Sequence, residues 1–118
     1  MALNLAKGRA PGHRVVSHSD LGSHALLLAL LDPEVLSSFR EQVLGPIERW
    51  DQEHGTDLLE TLTVFLSNGG RWRAAAAALH IHHNTLRYRI GRVATLTGRD
   101  AQTTGGRVDF ALALAVPV

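Results

Sequence analysis

The sequence predicts an all-α fold, a bundle of about six helices. Apolar residues recur at three- and four-residue spacing along most of the chain, which is typical of amphipathic helices. Capping residues, glycines and prolines separate these segments. The 118 residues, 45% of them hydrophobic and 19% charged, suit one ordinary globular domain.

The first part of the chain lacks a helical pattern. Residues 1–20 contain Pro11, glycines and scattered polar residues, and we interpret them as a linker or as the remnant of a preceding domain. Residues 21–118 are expected to form the helical domain. The leucine- and alanine-rich residues 21–31 predict its first helix.

A second helix is predicted after Asp32, which can cap it, with Pro33 in the first helical position. The pair Gly45–Pro46 is expected to interrupt this helix, and residues 47–54 to add another turn or two. A third helix should begin at Thr56 as N-cap and end at the Asn-Gly-Gly sequence of residues 68–70.

Three more helices are predicted in the second half. Residues 72–79 are rich in alanine, and residues 84–96 carry their own apolar stripe, which Gly98 is placed to end. About four residues link these two helices. Residues 107–116 are compatible with a helix or a strand, and we choose a helix because no other strand of comparable strength exists to pair with it.

The net charge of only +1 conceals a strong asymmetry. Nine of the eleven acidic residues lie between residues 20 and 60, where only Arg40 and Arg49 oppose them. Six arginines and no acid occur in residues 71–99. Such a concentration of positive charge indicates a polyanionic partner.

The arginine-rich segment also has the pattern of a DNA-binding helix-turn-helix, at about residues 71–97. Two helices that cross steeply need small residues at the crossing, and Ala75 and Ala76 lie there. Leu79, Ile81 and Leu86 are expected to hold the unit together.

The second helix of this unit is predicted to enter the DNA major groove. With Leu86 at the centre of its buried side, a period of about 100° per residue places Asn84, Tyr88, Gly91 and Thr95 near the opposite, outer side. Its N-terminal turn would then meet the base edges, and arginine and asparagine can each make two hydrogen bonds to one base. The candidates for base contacts are His82, His83, Asn84, Arg87 and Tyr88. The candidates for phosphate contacts are Arg71, Arg73, Arg89 and Arg92, while Thr85 suits either role.

Three sequence stretches, "LLETLTVFLSNGG", "AAAAALHIHHNTLRYRI" and "LTG", resemble the C-terminal domain of the PucR/CdaR family of bacterial transcription regulators. That domain has a helix-turn-helix similar to the one in the nucleoid protein Fis. The resemblance covers roughly residues 20–117. It implies binding to operator DNA as a homodimer, and an effector that binds in an N-terminal region outside this chain. The family pattern places DNA contacts at His82, His83, Asn84, Thr85, Arg87 and Tyr88.

Two positions depart from the family pattern. Arg71 replaces the usual asparagine after the Gly-Gly pair, which removes a good N-cap, and His83 replaces the usual arginine before "NTL". The second change removes a permanent charge.

Other functions fit the sequence less well. His80, His82 and His83 are an alternative metal cluster, but the adjacent pair would diverge on a helix and no carboxylate lies nearby. Catalysis would have to use residues such as Ser17, His18 and Asp20, which lack a supporting motif. We therefore expect no enzyme activity, no cofactor and no metal.

The main rival is a helical interaction or dimerisation module that does not contact DNA.

A cytoplasmic location fits the absence of cysteine, and no apolar stretch approaches the roughly 20 residues that span a bilayer.

Overall fold

The computed structural model describes residues 30–117, which form five α-helices and no strand. They are α1 (Pro33–His54), α2 (Leu58–Ser67), α3 (Trp72–Leu79), α4 (His83–Thr97) and α5 (Thr104–Ala115). The predicted all-α class is confirmed. The predicted linker at residues 1–20 lies outside the described residues, as does nearly all of the helix predicted at residues 21–31, so the described part has five helices where the whole chain was expected to have about six.

Helix α1 runs through Pro46 without a break, so the interruption predicted at Gly45–Pro46 is wrong. A proline ring normally clashes with the Cβ of the residue before it, and Gly45 has none. The missing Cβ also leaves room for the side chain of Glu41, which passes over the buried Gly45 to pair with Arg49. One 22-residue helix results.

The start of α2 is capped from the preceding helix. The carboxylate of Asp51, near the end of α1, accepts hydrogen bonds from the backbone N–H groups of Leu58 at 2.8 Å and Leu59 at 3.0 Å. Thr56, the predicted N-cap, instead donates its hydroxyl to Asp51 at 2.6 Å. The prediction missed this arrangement because the turn between the helices folds the α1 carboxylate onto the free amides of α2.

The helix ends in the second half follow the sequence signals. Gly69, Gly70 and Gly98 all have positive φ angles, and the first two follow α2 while the third ends α4, as predicted. The last segment is a helix, also as predicted. It begins three residues before the expected start because the Thr103 hydroxyl accepts a hydrogen bond of 3.0 Å from the N–H of Gly106.

The core lies where α1, α2, α4 and α5 meet, with α3 packed against α2 and α4. Its side chains are aliphatic except for one phenylalanine each from α2 and α5. The largest fully buried members are Phe65, Phe110, Leu44, Ile47, Leu62, Leu86 and Ile90. The inner side of α4 therefore belongs to the core, which fixes the direction in which its outer side points. No helix within residues 30–117 has both the length and the hydropathy to cross a membrane.

Candidate nucleic-acid interface

Helices α3 and α4 are joined by a three-residue turn, residues 80–82. Ala75 is fully buried and Ala76 is 6% exposed, on a helix that packs against both α2 and α4. Leu86 is fully buried, and Leu79 and Ile81 pack against the same core. The burial of both alanines agrees with a close approach of neighbouring helices at these positions.

The turn is closed by backbone hydrogen bonds and a side-chain cap. His80 takes a left-handed conformation with φ of 58°, and Ile81 donates its N–H to the carbonyl of Ala76 at 3.1 Å. The Nδ1 atom of His82 accepts a hydrogen bond of 3.0 Å from the N–H of Asn84 and so caps α4. His82 thus holds the start of α4 while the residue itself remains exposed.

The outer face of α4 is open along its length. Asn84, Tyr88, Gly91 and Thr95 are all exposed, in agreement with the face expected from the helical period of about 100° per residue. Tyr88 is 63% exposed. Among residues 30–117 no segment covers this face, so a partner can reach it.

Both tryptophans of the chain contact an arginine of α4. The guanidinium carbon of Arg87 lies 5.0 Å from the ring centroid of Trp72, and that of Arg92 lies 4.7 Å from the ring centroid of Trp50. These distances are within the range of cation–π contacts. Both tryptophans are partly buried, and the sequence contained no signal for their contacts with arginine.

Arg92 also contacts Tyr88 on its own helix. Its terminal nitrogen donates a hydrogen bond of 2.9 Å to the hydroxyl of Tyr88, one helical turn earlier. The Tyr88 hydroxyl therefore lies beside the positive charge of Arg92 at the edge of the outer face.

The side chain of Arg89 points toward helix α2. Its terminal nitrogen donates a hydrogen bond of 3.1 Å to the hydroxyl of Thr61, a buried residue of α2. Of the four arginines predicted to contact phosphates, Arg89 is therefore the one whose position in the free protein does not favour that role, because its guanidinium is used to hold α4 against α2.

The other predicted phosphate contacts lie near the surface. Arg71 and Arg73 are exposed at the start of α3, and Arg71 makes no side-chain cap, as its replacement of asparagine implied. The ion pairs found within residues 30–117 involve Arg40, Arg49 and Arg99. In that part of the chain the arginines at residues 71–92 have no acidic partner.

The histidines are close to one another but do not form a ligand set in this part of the protein. The rings of His82 and His83 stack with their centroids 5.1 Å apart, and both residues are exposed. Within residues 30–117 no group of three or more His, Cys, Asp or Glu side chains could hold a metal ion. Thr85, which suited base or phosphate, is partly buried beside them.

A short turn between two helices with small residues at their crossing, followed by an exposed and arginine-flanked helix, defines a helix-turn-helix DNA-binding domain. The model of the PucR C-terminal helix-turn-helix domain matches residues 58–116, half of the chain, and the chain belongs to this family. Fold and family together make it a DNA-binding output domain of a transcription regulator.

Several curated proteins share this region. The chain is 44% identical over 77 residues to the transcriptional activator PmfR of Paenarthrobacter nicotinovorans, covering 65% of this chain and 16% of that protein. It is 31% identical over 83 residues to the proline-responsive transcriptional activator PutR of Bacillus subtilis, covering 70% and 20%. The identity to the DNA-binding transcriptional activator AdeR of Bacillus subtilis is 30% over 84 residues, covering 71% and 20%.

The matched region is a fifth or less of the length of each of these three relatives. No solved structure gives a significant match.

Proposed function

We propose that this chain binds operator DNA in a sequence-specific manner and places α4 in the major groove. The observation that carries the proposal is the exposed face of helix α4, which starts at His83. Arginines flank this face, and within residues 30–117 those at residues 71–92 have no acidic partner. A helix of this kind fits the major groove, and its first turns reach the base edges. The proposed base contacts are His82, His83, Asn84, Arg87 and Tyr88.

The phosphate contacts form a second set. We assign Arg71 and Arg73 to one DNA backbone segment because they are exposed at the start of α3, which crosses the backbone in helix-turn-helix proteins. Arg92 is assigned to phosphate at the edge of α4. Thr85 keeps both roles open, and Arg89 is assigned to the anchoring of α4 through Thr61.

The remaining features of the proposal concern the whole regulator. We propose that it acts as a homodimer, since helix-turn-helix units commonly bind paired half-sites about 34 Å apart. The effector is expected to bind outside this chain, in keeping with the much greater length of the relatives. A cytoplasmic location follows from action on chromosomal DNA. The domain acts by binding, without catalysis.

The direct test is to select bound duplexes from a random pool with the 118-residue chain. We expect one recurring sequence motif, and the motif identifies the operator. Recovery of unrelated sequences with no enrichment would contradict sequence-specific binding. Loss of all duplex binding would favour the rival function, a helical interaction or dimerisation module.

The division between base and phosphate contacts has its own test. Arg87→Ala is expected to cost about 1–3 kcal/mol of binding free energy at the selected sequence and to relax the base preference there. Arg73→Ala should weaken binding to all sequences alike. Equal losses on all sequences for both variants would contradict the proposed roles.

A further inference from the structure

Trp50 connects helix α1 to helix α4. It lies in α1, outside the helix-turn-helix, and is partly buried. Its ring contacts two cationic or titratable side chains, His54 on its own helix and Arg92 on α4. A residue distant in sequence thus borders the outer face of α4.

The two neighbours of Trp50 use different faces of the indole. The His54 ring stacks on it with a centroid distance of 3.7 Å and an interplanar angle of 16°, which covers one face. The Nδ1 atom of His54 lies 3.1 Å from the carbonyl oxygen of Trp50, so this stack is held by a local hydrogen bond. Arg92, over the ring at 4.7 Å, must therefore use the other face.

The contact with Trp50 restricts a side chain that is otherwise flexible. A free arginine side chain loses rotamer entropy when it is fixed in one geometry. Arg92 is held by the indole on one side and by its hydrogen bond to Tyr88 on the other. Its remaining N–H groups can donate to a phosphate while the guanidinium stays on the ring, because stacking uses the face of the guanidinium and hydrogen bonding uses its edge.

We propose that Trp50 is a positioning residue for DNA binding, which fixes Arg92 in the orientation that meets the DNA backbone. The scaffold helix α1 thereby sets the contacts made by the middle of α4. This inference rests on the proposed function, and it adds a determinant of DNA affinity that lies outside the helix-turn-helix.

The test compares binding of a labelled duplex of mixed sequence by the 118-residue chain and its variants at several salt concentrations. Trp50→Leu keeps apolar volume but removes the aromatic face, and Trp50→Phe keeps a smaller aromatic face. We expect Trp50→Leu to weaken binding about three- to tenfold, because a freed Arg92 side chain loses rotamer entropy when it binds, and to reduce the salt slope by up to about 0.9, one phosphate contact. Trp50→Phe should restore most of both.

A double-mutant cycle separates positioning from general destabilisation. Once Arg92 is replaced by alanine, adding Trp50→Leu should weaken binding by less than twofold, since its effect acts through Arg92. Phe39→Ala, a partly buried aromatic position on the same helix, serves as the matched control and should leave the salt slope unchanged. Urea unfolding of each variant verifies that it is folded under the binding conditions.

Two results would overturn the inference: an unchanged salt slope in Trp50→Leu, or equal losses from Trp50→Leu in the presence and absence of Arg92. Failure of the proposed function is a different result, because the unmodified chain would then show no salt-dependent binding to the duplex at all.

Discussion

The guanidinium of Arg89 on α4 donates a hydrogen bond of 3.1 Å to the hydroxyl of Thr61 on α2. That hydroxyl in turn donates to the carbonyl of Asp57 at 2.8 Å, so both its proton and a lone pair are used. Thr61 is fully buried, and the pair joins two helices that are 28 residues apart in sequence at this point. Helix α4 is thus attached to α2 by a polar contact as well as by its apolar side.

Replacement of Arg89 by alanine should lower the free energy of unfolding by about 1–3 kcal/mol, because the hydrogen bond to a charged donor is lost and an acceptor is left unpaired. Urea unfolding measures this. Arg73→Ala, at an exposed arginine on α3, is the matched control and should change stability by no more than about 0.5 kcal/mol. Equal stabilities of the two variants would contradict the anchoring role of Arg89.

The Asp51 cap gives a second prediction. Asp51→Ala leaves the first N–H groups of α2 without a partner, and we expect it to lower the free energy of unfolding by about 1–2 kcal/mol. Thr56→Ala should cost less, about 0.5 kcal/mol, because Thr56 only donates to Asp51. A larger loss for Thr56→Ala in thermal or urea unfolding would indicate that Thr56 is the true cap.

Gly91, inside α4, and Gly98, which ends it, should respond in opposite directions to alanine. Gly91 is exposed within α4, and a Cβ added there meets nothing, so Gly91→Ala should raise the free energy of unfolding by about 0.5–1 kcal/mol. Gly98 has a φ angle of 72°, which strains an alanine, so Gly98→Ala should lower the free energy of unfolding by about 1–2 kcal/mol. Changes of the same sign in the two variants would mean that the end of α4 is misplaced.

The cap at the start of α4 is provided by an imidazole. His82→Ala should cost about 1 kcal/mol of stability, whereas His82→Asn, which supplies another acceptor for the N–H of Asn84, should retain most of it. Comparison of the two variants by urea unfolding isolates the hydrogen bond from the loss of the ring. If the asparagine variant is no more stable than the alanine variant, the cap does not contribute.

The features that the sequence predicts well are local ones. The alanines at the crossing of α3 and α4, the exposed face of α4 and the glycines that end α2 and α4 all depend on spacing within a few residues. Residue types and their spacing are therefore sufficient to place them. The continuous α1 was missed for two reasons that a rule for single residues does not capture. Gly45 relieves the clash of the Pro46 ring with the preceding Cβ, and the fully buried Val43, Leu44 and Ile47 hold the helix in the core on both sides of the proline.

The contacts that determine side-chain roles at the interface could not be predicted. Whether Arg89 faces Thr61 or a phosphate, and whether Trp50 lies against Arg92, depends on how α1 and α2 pack onto α4. An arginine at the flank of a helix is compatible with either position. Sequence periodicity gives the face of a residue, and only the packing of the other helices shows which partner a long side chain reaches.

The central claim is that α4 and its flanking arginines bind the DNA backbone and grooves, and the salt dependence of duplex binding tests it most directly. With phosphate contacts from Arg71, Arg73 and Arg92, log affinity for one protomer should fall with log salt concentration at a slope near −2.7, about −0.9 for each phosphate. Binding with a slope of this size supports the claim. No binding, or binding that is indifferent to salt, would contradict it.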